Sequence, residues 1–273
     1  MIKTVTDVWR KRAVLRHFIA FQLTTNYRTK SFGFVWALLD PLLFMGVYFI
    51  VFGKVLGHRP LYFMLHIYIG VTAFRFLSTS LAGSAQVLKG QAGIIREIAF
   101  PKAVLPASIV ATRLFDFVGA WLGAIVIGCI FGIVPTVHWL WIPFFVAFQA
   151  LFVLGLSLTV AYVGVFFADI ANFIDVGMRL WFYLSPVLYM LSEARDKIAG
   201  NRLAECWYAI NPMTAVMQTY EYAVFKGHPW VEGYMTVLPA KGFALQSLLT
   251  GLGALLLGLL VFSRAEKQVS KYV

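Results

Sequence analysis

A chain that turns apolar for about twenty residues at a stretch, and does so repeatedly, has few folds open to it. A helix rises about 1.5 Å per residue, so roughly 20 apolar residues match the ~30 Å hydrocarbon core of a bilayer. Within that core only helices and closed barrels satisfy their own backbone. Six segments have the length: Phe32–Gly53, Leu61–Leu81, Ile109–Val134, Trp139–Phe167, Phe173–Leu191 and Phe243–Phe262. Composition agrees, since 13% of residues are charged, against about one quarter in a soluble domain. Mean hydropathy is +0.79. The expectation is an all-α membrane protein with six transmembrane helices.

Lys and Arg favour the cytoplasmic side. Residues 1–30 hold seven of them, the 83–104 stretch holds Lys89, Arg96 and Lys102, and the last residues hold Arg264, Lys267 and Lys271. The other side has Lys54 and Arg59, then Arg195, Lys197, Arg202, Lys226 and Lys241, the last five offset by Glu193, Asp196, Glu205, Glu221 and Glu232. Both termini and 83–104 are therefore expected inside, with 192–242 outside. In the first 27 residues Val5, Val8, Trp9, Val14, Leu15, Phe18 and Phe21 fall mostly along one side of a helix, and Arg10–Arg12 and Arg16–His17 lie largely elsewhere. That pattern suits an amphipathic helix lying in the membrane interface; the alternative is a basic leader that only fixes orientation. It does not read as a secretory signal, because the charges interrupt any apolar core and no small-residue cleavage site follows.

The net charge of +11 then belongs near anionic lipid headgroups. No nucleic acid is expected as a partner, because no soluble basic domain or recognition motif is present. Cys129 and Cys206 make no disulfide framework, and the histidines lack metal-ligand spacing, so neither a metal site nor a catalytic site is expected.

The stretch "QAGIIREIAFPKAVLPA" (91–107) breaks the apolar pattern. Ile94, Ile95 and Ile98 can form an apolar edge, Arg96 and Glu97 flank it, and Phe100-Pro101 ends it, since proline removes a donor and restrains the residue before it. A short amphipathic helix of this kind suits docking in a groove; the alternative is an ordinary interfacial loop.

Five stretches in order carry a resemblance. "YRTKSFGFVWALLDPLL" (27–43) looks like the start of the first membrane helix in ABC-2 permeases that export polysaccharides or polyol phosphates, as O-antigen, capsule and teichoic acid exporters do. "IIREIAFPKAVLP" is similar to that family's LI-R/K-x-x-x-F-P-R/K-x-x-L-P loop, and "VFFADIANFIDV" to its F-F-R-D-I segment. "LSPVLYM" is similar to S-P-V-x-Y and "AINPMTAV" to N-P-M/L. Each is weak alone; five in order across about residues 10–270 are specific.

The resemblance implies a domain spanning 31–273 after the interfacial segment 1–30, with a cytoplasmic coupling loop at about 83–104 and an outer gate region at about 192–242. It implies that Ile94, Ile95, Arg96, Glu97, Ile98, Phe100 and Pro101 dock on a separate ATPase subunit. No G-x-x-x-x-G-K-[ST] loop is present; Gly53-Lys54 lacks its spacing. ATP and Mg²⁺ are thus expected on the partner, with no cofactor on this chain. Two ATPase copies imply a homodimer of this chain. Ala168 departs from the family, which has Arg there, and Arg75 departs where an apolar or aromatic residue is usual.

Charges inside a membrane cost about 2.5–3.5 kcal/mol each on insertion scales. Arg113/Asp116 and Asp175/Arg179 have i,i+3 and i,i+4 spacing for pairing on one helix. Asp40 and Arg75 have no such partner; an interhelical pair and, for Arg75, an anionic substrate are the open readings. Phe44, Tyr48 and Phe52 form a stripe on the first helix, joined from the fifth by Trp181, Tyr183 and Tyr189. Flat rings can stack on the C–H faces of sugars, so these are candidate channel walls; packing or lipid-facing roles are equally open. Arg28 and Lys30 are candidates for attracting a lipid-linked diphosphate. Asn211 can cap a helix entered by Pro212, with Gly227 as its stop. In resembling exporters short helices here form an outer gate; a re-entrant plug or surface cap are the alternatives.

The leading expectation is the membrane subunit of an ATP-driven exporter of a lipid-linked polysaccharide, without enzymatic activity of its own, in the inner membrane. A drug or small-lipid exporter of the same fold is the runner-up. A membrane-embedded glycan transferase would need a carboxylate pair or nucleophile that is not evident, and the coupling-like loop argues against a channel acting alone.

Overall fold

The computed structural model describes residues 2–28, 33–51, 61–167, 169–228, 231 and 240–272. Among these, every regular element is helical. The N-terminal segment is two helices rather than one, α1 (Ile2–Arg10) and α2 (Arg12–Arg28), with a turn at Lys11. Then follow α3 (Val35–Tyr48), α4 (Leu61–Gly90), α5 (Ala92–Glu97) and α6 (Val104–Ile130). A 3-10 turn, Val137–Trp141, leads into α7 (Ile142–Phe166), followed by α8 (Ile170–Tyr183) and α9 (Leu191–Ile198). The chain ends with α10 (Arg202–Ile210), α11 (Pro212–Phe225) and α12 (Ala240–Tyr272).

Three helical stretches are long and apolar enough to cross a membrane: Val104–Ile130, Val137–Phe166 and Lys241–Arg264. They cover the predicted third, fourth and sixth segments. The first corresponds to a shorter apolar helix, Val35–Val51. The second is the first part of α4, whose 30 residues include His66, Arg75 and Lys89. The fifth is cut short. Its helix stops at Tyr183 after 14 residues, a rise of about 21 Å, and a run of turns follows. Pro186 explains the stop, because it cannot donate to the helix and holds Ser185 away from helical geometry.

α7 is the axis of the packing, and small residues make it so. A Cβ at Gly155 would collide with the backbone of Ala254 in α12, and one at Gly258 with the carbonyl of Gly155. One at Gly251 would come within 2.8 Å of the Phe148 carbonyl. On the other side of α7, a Cβ at Gly164 would strike the Ala85 carbonyl of α4. Close backbone approach through small residues is the usual means of joining helices where lipid removes any hydrophobic drive.

Two cores result. The larger gathers Phe63, Leu65 and Tyr68 of α4 with Trp121, Phe152 and Tyr220. The smaller sits where α4 ends and α6 begins, around Leu88, Leu105, Leu158 and Phe262, and takes in Val8, Phe18, Ile95 and Phe100 at its edge. α11 lies inside the bundle rather than over it, with nearly all its side chains buried. It ends at Phe225, and Gly227 turns the chain at φ +90°, a conformation that favours glycine.

Gly155→Ala is expected to lower the melting temperature of the purified protein in detergent, since rigid backbone must move and overpacking costs about 1–3 kcal/mol. Gly253→Ala, with open space around its Cβ, is the matched control and should leave melting unchanged or raise it. Equal melting of the two variants would contradict the packing.

Candidate functional site

Polar groups concentrate in four places, and the first is where α2, α3, α4 and α6 meet. Asp40 of α3 forms an ion pair with Arg75 of α4, which selects the interhelical reading left open by the sequence. Arg113 Nη1 lies 3.3 Å from Asp116 Oδ2 within α6. The Tyr27 hydroxyl of α2 donates to Asp116 Oδ1. Burial, then that bond, pushes the Tyr27 phenol well above its usual range, so it stays a neutral donor. α2 is pinned further along: Gln22 Nε2 donates to Ser108 Oγ at 2.8 Å, and Thr112 Oγ1 donates to Gln22 Oε1 at 3.1 Å. Arg28 is exposed at the end of this helix; Lys30 lies outside the described residues, as do Phe52 and Ala168.

Beyond the ion pair, α3, α4 and α8 enclose a groove of about 430 Å³. Phe44 and Tyr48 line it from α3, Arg75 from α4, and Asp175, Arg179 and Tyr183 from α8. Tyr48 and Tyr183 border it from opposite elements. Three of the predicted wall residues thus share one surface. Asp175 and Arg179 both reach the groove, yet among the described ion pairs none joins them. Trp181 faces the other way. It packs edge-on against Phe74 and Phe152 at centroid distances of 6.2 and 6.4 Å.

The Trp181 Nε1 donates to Asn211 Oδ1 at 2.8 Å, and Asn211 is the third place. Its backbone ends α10 and its side chain caps α11, Oδ1 accepting from Met213 N at 3.0 Å. Its Nδ2 donates to Ser185 Oγ at 2.9 Å. The S-P and N-P stretches therefore touch, though 26 residues separate Ser185 from Asn211. Pro212 opens α11 behind it. Tyr189 reaches Tyr208 across 2.6 Å and ties the same turns to α10. Deeper in, Gln149 Nε2 donates to the Ala73 carbonyl at 2.8 Å and its Oε1 accepts from Tyr220 at the same distance. His66 Nδ1 lies 3.1 Å from Glu221 Oε1, both side chains buried. Glu221, counted in the sequence as an outer surface acid, is thus a core residue.

The fourth place is the predicted coupling stretch. α5 continues α4 after a turn at Gln91, and Ile98 is already extended. The three isoleucines do not share one exposed edge. Ile95 packs into the smaller core beside Phe100, whose ring lies 5.7 Å from that of Phe18. Ile94 is half-buried, whereas Arg96, Glu97 and Ile98 face outward, Ile98 with 58% of its surface exposed. Pro101 follows in a turn, and Asp7 of α1 borders the same open surface.

The sequence profile described as "ABC-2 type transporter" matches residues 14–225. The chain belongs to the ABC-2 type transporter family. It is an integral membrane protein of the transport permease type. The "O-antigen export system permease protein RfbA" of Myxococcus xanthus is 32% identical over 228 residues, 84% of this chain and 86% of that protein. A Klebsiella pneumoniae protein of the same description is 27% identical over 225 residues, covering 82% and 84%. The profile's range includes the ion-pair cluster, the groove and Asn211.

Sequence reasoning identified this ABC-2 protein's Asn211 as a cap but not as a hub, and it missed Gln149 and the His66–Glu221 contact. A glutamine within the fourth apolar segment was the available signal. Asn211→Ala strands the Trp181 donor and uncaps α11; a loss of about 1–3 kcal/mol is expected, read as a lowered melting temperature, with Asn211→Asp closer to wild type because it keeps the acceptor. Arg75→Leu is expected to destabilise more than the double change Asp40→Leu/Arg75→Leu, because a lone charge left in the helix bundle costs more than a removed pair. Melting of the single and double variants side by side tests this.

Proposed function

We propose that this chain is the transmembrane subunit of an ATP-driven exporter that moves a lipid-linked polysaccharide, such as O-antigen, across the inner membrane. The observation carrying the proposal is the family match over 14–225 together with relatives described as O-antigen export permeases. In this reading two copies of the chain assemble with two copies of a cytoplasmic ABC ATPase, which binds ATP and Mg²⁺. The chain crosses the membrane six times with both termini inside, counting the α3, α4 and α8 regions as spans alongside the three long apolar helices.

The stretch from Ile94 to Pro101 would dock on the ATPase, Arg96, Glu97 and Ile98 supplying the outward contacts while Ile95 and Phe100 seat the loop. The groove bordered by Phe44, Tyr48 and Tyr183 would form part of the substrate path, its rings offering faces on which sugars slide. Arg28, with Lys30, would attract the carrier diphosphate at the cytoplasmic entrance. Asn211, Pro212 and the helices around them would close the outer end. The groove supports this reading because aromatic rings and charges of both signs are combined there, a surface that accepts hydroxylated rings without one fixed bonding pattern.

The test is co-purification of the ATPase from native membranes, with ATP hydrolysis assayed on the recovered material. Ile98→Asp is expected to reduce recovery of the ATPase about tenfold or more, a change of roughly 1.4 kcal/mol or above, while leaving the amount and melting of the permease unchanged. No ATPase with the unmutated chain would refute the exporter. Full recovery with Ile98→Asp would move the docking surface elsewhere.

A further inference from the structure

A second groove lies on the far side of the bundle, beneath the N-terminal helices. It has a volume of about 450 Å³, within the usual range of roughly 300–1,000 Å³ for small-molecule sites. Its floor is apolar: Leu154 and Leu158 of α7 run beside Leu255 and Leu259 of α12. Each pair is one helical turn apart, so the floor is a strip along two helices rather than a round pit. Leu158 is eight residues from the end of α7 at Phe166, and Leu154 twelve. At about 1.5 Å per residue they lie roughly 12 and 18 Å in from that end, the depth of one leaflet in a ~30 Å core. α7 and α12 are two of the three helices apolar enough to cross the membrane, and Leu154, Leu255 and Leu259 keep part of their surface open over the buried Leu158.

The rim is cationic. Arg12 and Arg16 of α2 border the groove and, four residues apart, lie on one helix face. No acidic side chain lines it, and no described carboxylate pairs with either arginine. Trp9 stands at the same rim, 70% exposed, with the Arg12 guanidinium 5.8 Å from its ring. An indole beside arginines is the composition of a headgroup-level anchor. The surface beneath α5 differs, since Asp7 and Glu97 border it and offset its basic residues.

We propose that this groove is a binding site for an anionic phospholipid, with one acyl chain on the leucine strip and the phosphate against Arg12 and Arg16. The lipid ties α1 and α2 to α7 and α12. Through the Phe18–Phe100 contact it also steadies the loop after α5. The site requires only that α7 and α12 lie in a bilayer, and it does not depend on what is exported.

The test is native mass spectrometry of the full chain, delipidated in detergent and then offered equal amounts of phosphatidylglycerol and phosphatidylcholine. Retention of phosphatidylglycerol about fivefold or more above phosphatidylcholine is expected, in line with attraction of an anionic headgroup by two surface arginines. Arg12→Gln/Arg16→Gln should bring the two lipids near parity. Arg10→Gln/Lys11→Gln, which removes the same charge away from the groove, should keep the preference. Ala107→Phe, which fills the groove and leaves its arginines in place, should lower retention of both lipids. Unchanged melting without lipid confirms that each variant is folded. Equal retention by the unmutated chain, including none of either lipid, overturns the proposal. So does an equal loss of preference in the Arg10/Lys11 control, which would mean attraction by general basic charge, and so does full retention with the groove filled.

Discussion

The close approach of α7 to α4 and α12 is the constraint on which the rest depends. Gly164 lets α7 lie against the α4 backbone at Ala85, and Gly155, Gly251 and Gly258 let it lie against α12. Helices held by large side chains sit about 8–10 Å apart between axes; helices joined at glycine come closer and lose freedom to slide. With α7 fixed on both sides, the position of α4 is fixed too. α4 carries Arg75 to the groove, His66 to Glu221 and, at its end, α5 to the surface. Three of the four polar places are therefore set by one rigid helix of 30 residues, about 45 Å long.

The polar groups are not distributed at random along that rod. Around Asn211 they are buried and bonded, Oδ1 accepting from Trp181 Nε1 and Met213 N while Nδ2 donates to Ser185 Oγ. A buried network that joins three stretches of chain through one side chain favours one arrangement of the turns that share it. At Arg75 and Asp40 the pair keeps about a third of its surface open, 39% and 31%. A charge among apolar helices is tolerable when it is paired and borders an open cavity, and Arg75 borders the groove. The turns around Asn211 are thus held by buried hydrogen bonds, and the groove by charges that keep part of their surface open.

How much of this was legible in the sequence depended on the range of the interaction. Apolar length is local, so the three long apolar helices were placed correctly, and the helix entered at Asn211-Pro212 was readable from capping chemistry. The fifth segment misled because hydropathy continues through Leu184–Leu191 while Pro186 ends the helix. Rotation was also out of reach. Phe44, Tyr48 and Tyr183 share a surface but Trp181, two residues from Tyr183, turns into the core, and Ile95 turns in where Ile98 turns out. Such choices are settled by neighbours far along the chain: Phe152 and Asn211 for Trp181, the smaller core for Ile95. His66–Glu221 and Gln149–Tyr220 belong to the same class, joining residues whose sequence separation hides them, whereas an interhelical partner for Asp40 and Arg75 was one of the open readings.

The charge balance of the groove limits what its wall can select. Asp40 with Arg75, Arg113 with Asp116, and Asp175 with Arg179 contribute equal numbers of each sign around the cluster and groove. Their field sums to nearly zero at distances beyond a Debye length of about 8 Å. A wall of this kind does not hold an anion by net charge, and it does not repel a neutral sugar. Arg75 and Asp40 neutralise each other across the α3–α4 boundary, and the rings of Phe44, Tyr48 and Tyr183 border the groove beside Asp175 and Arg179. The uncompensated positive charge lies instead on the N-terminal helices, at Arg12, Arg16 and Arg28. In the proposed exporter, attraction of anionic groups and passage of the glycan are therefore assigned to different parts of the chain.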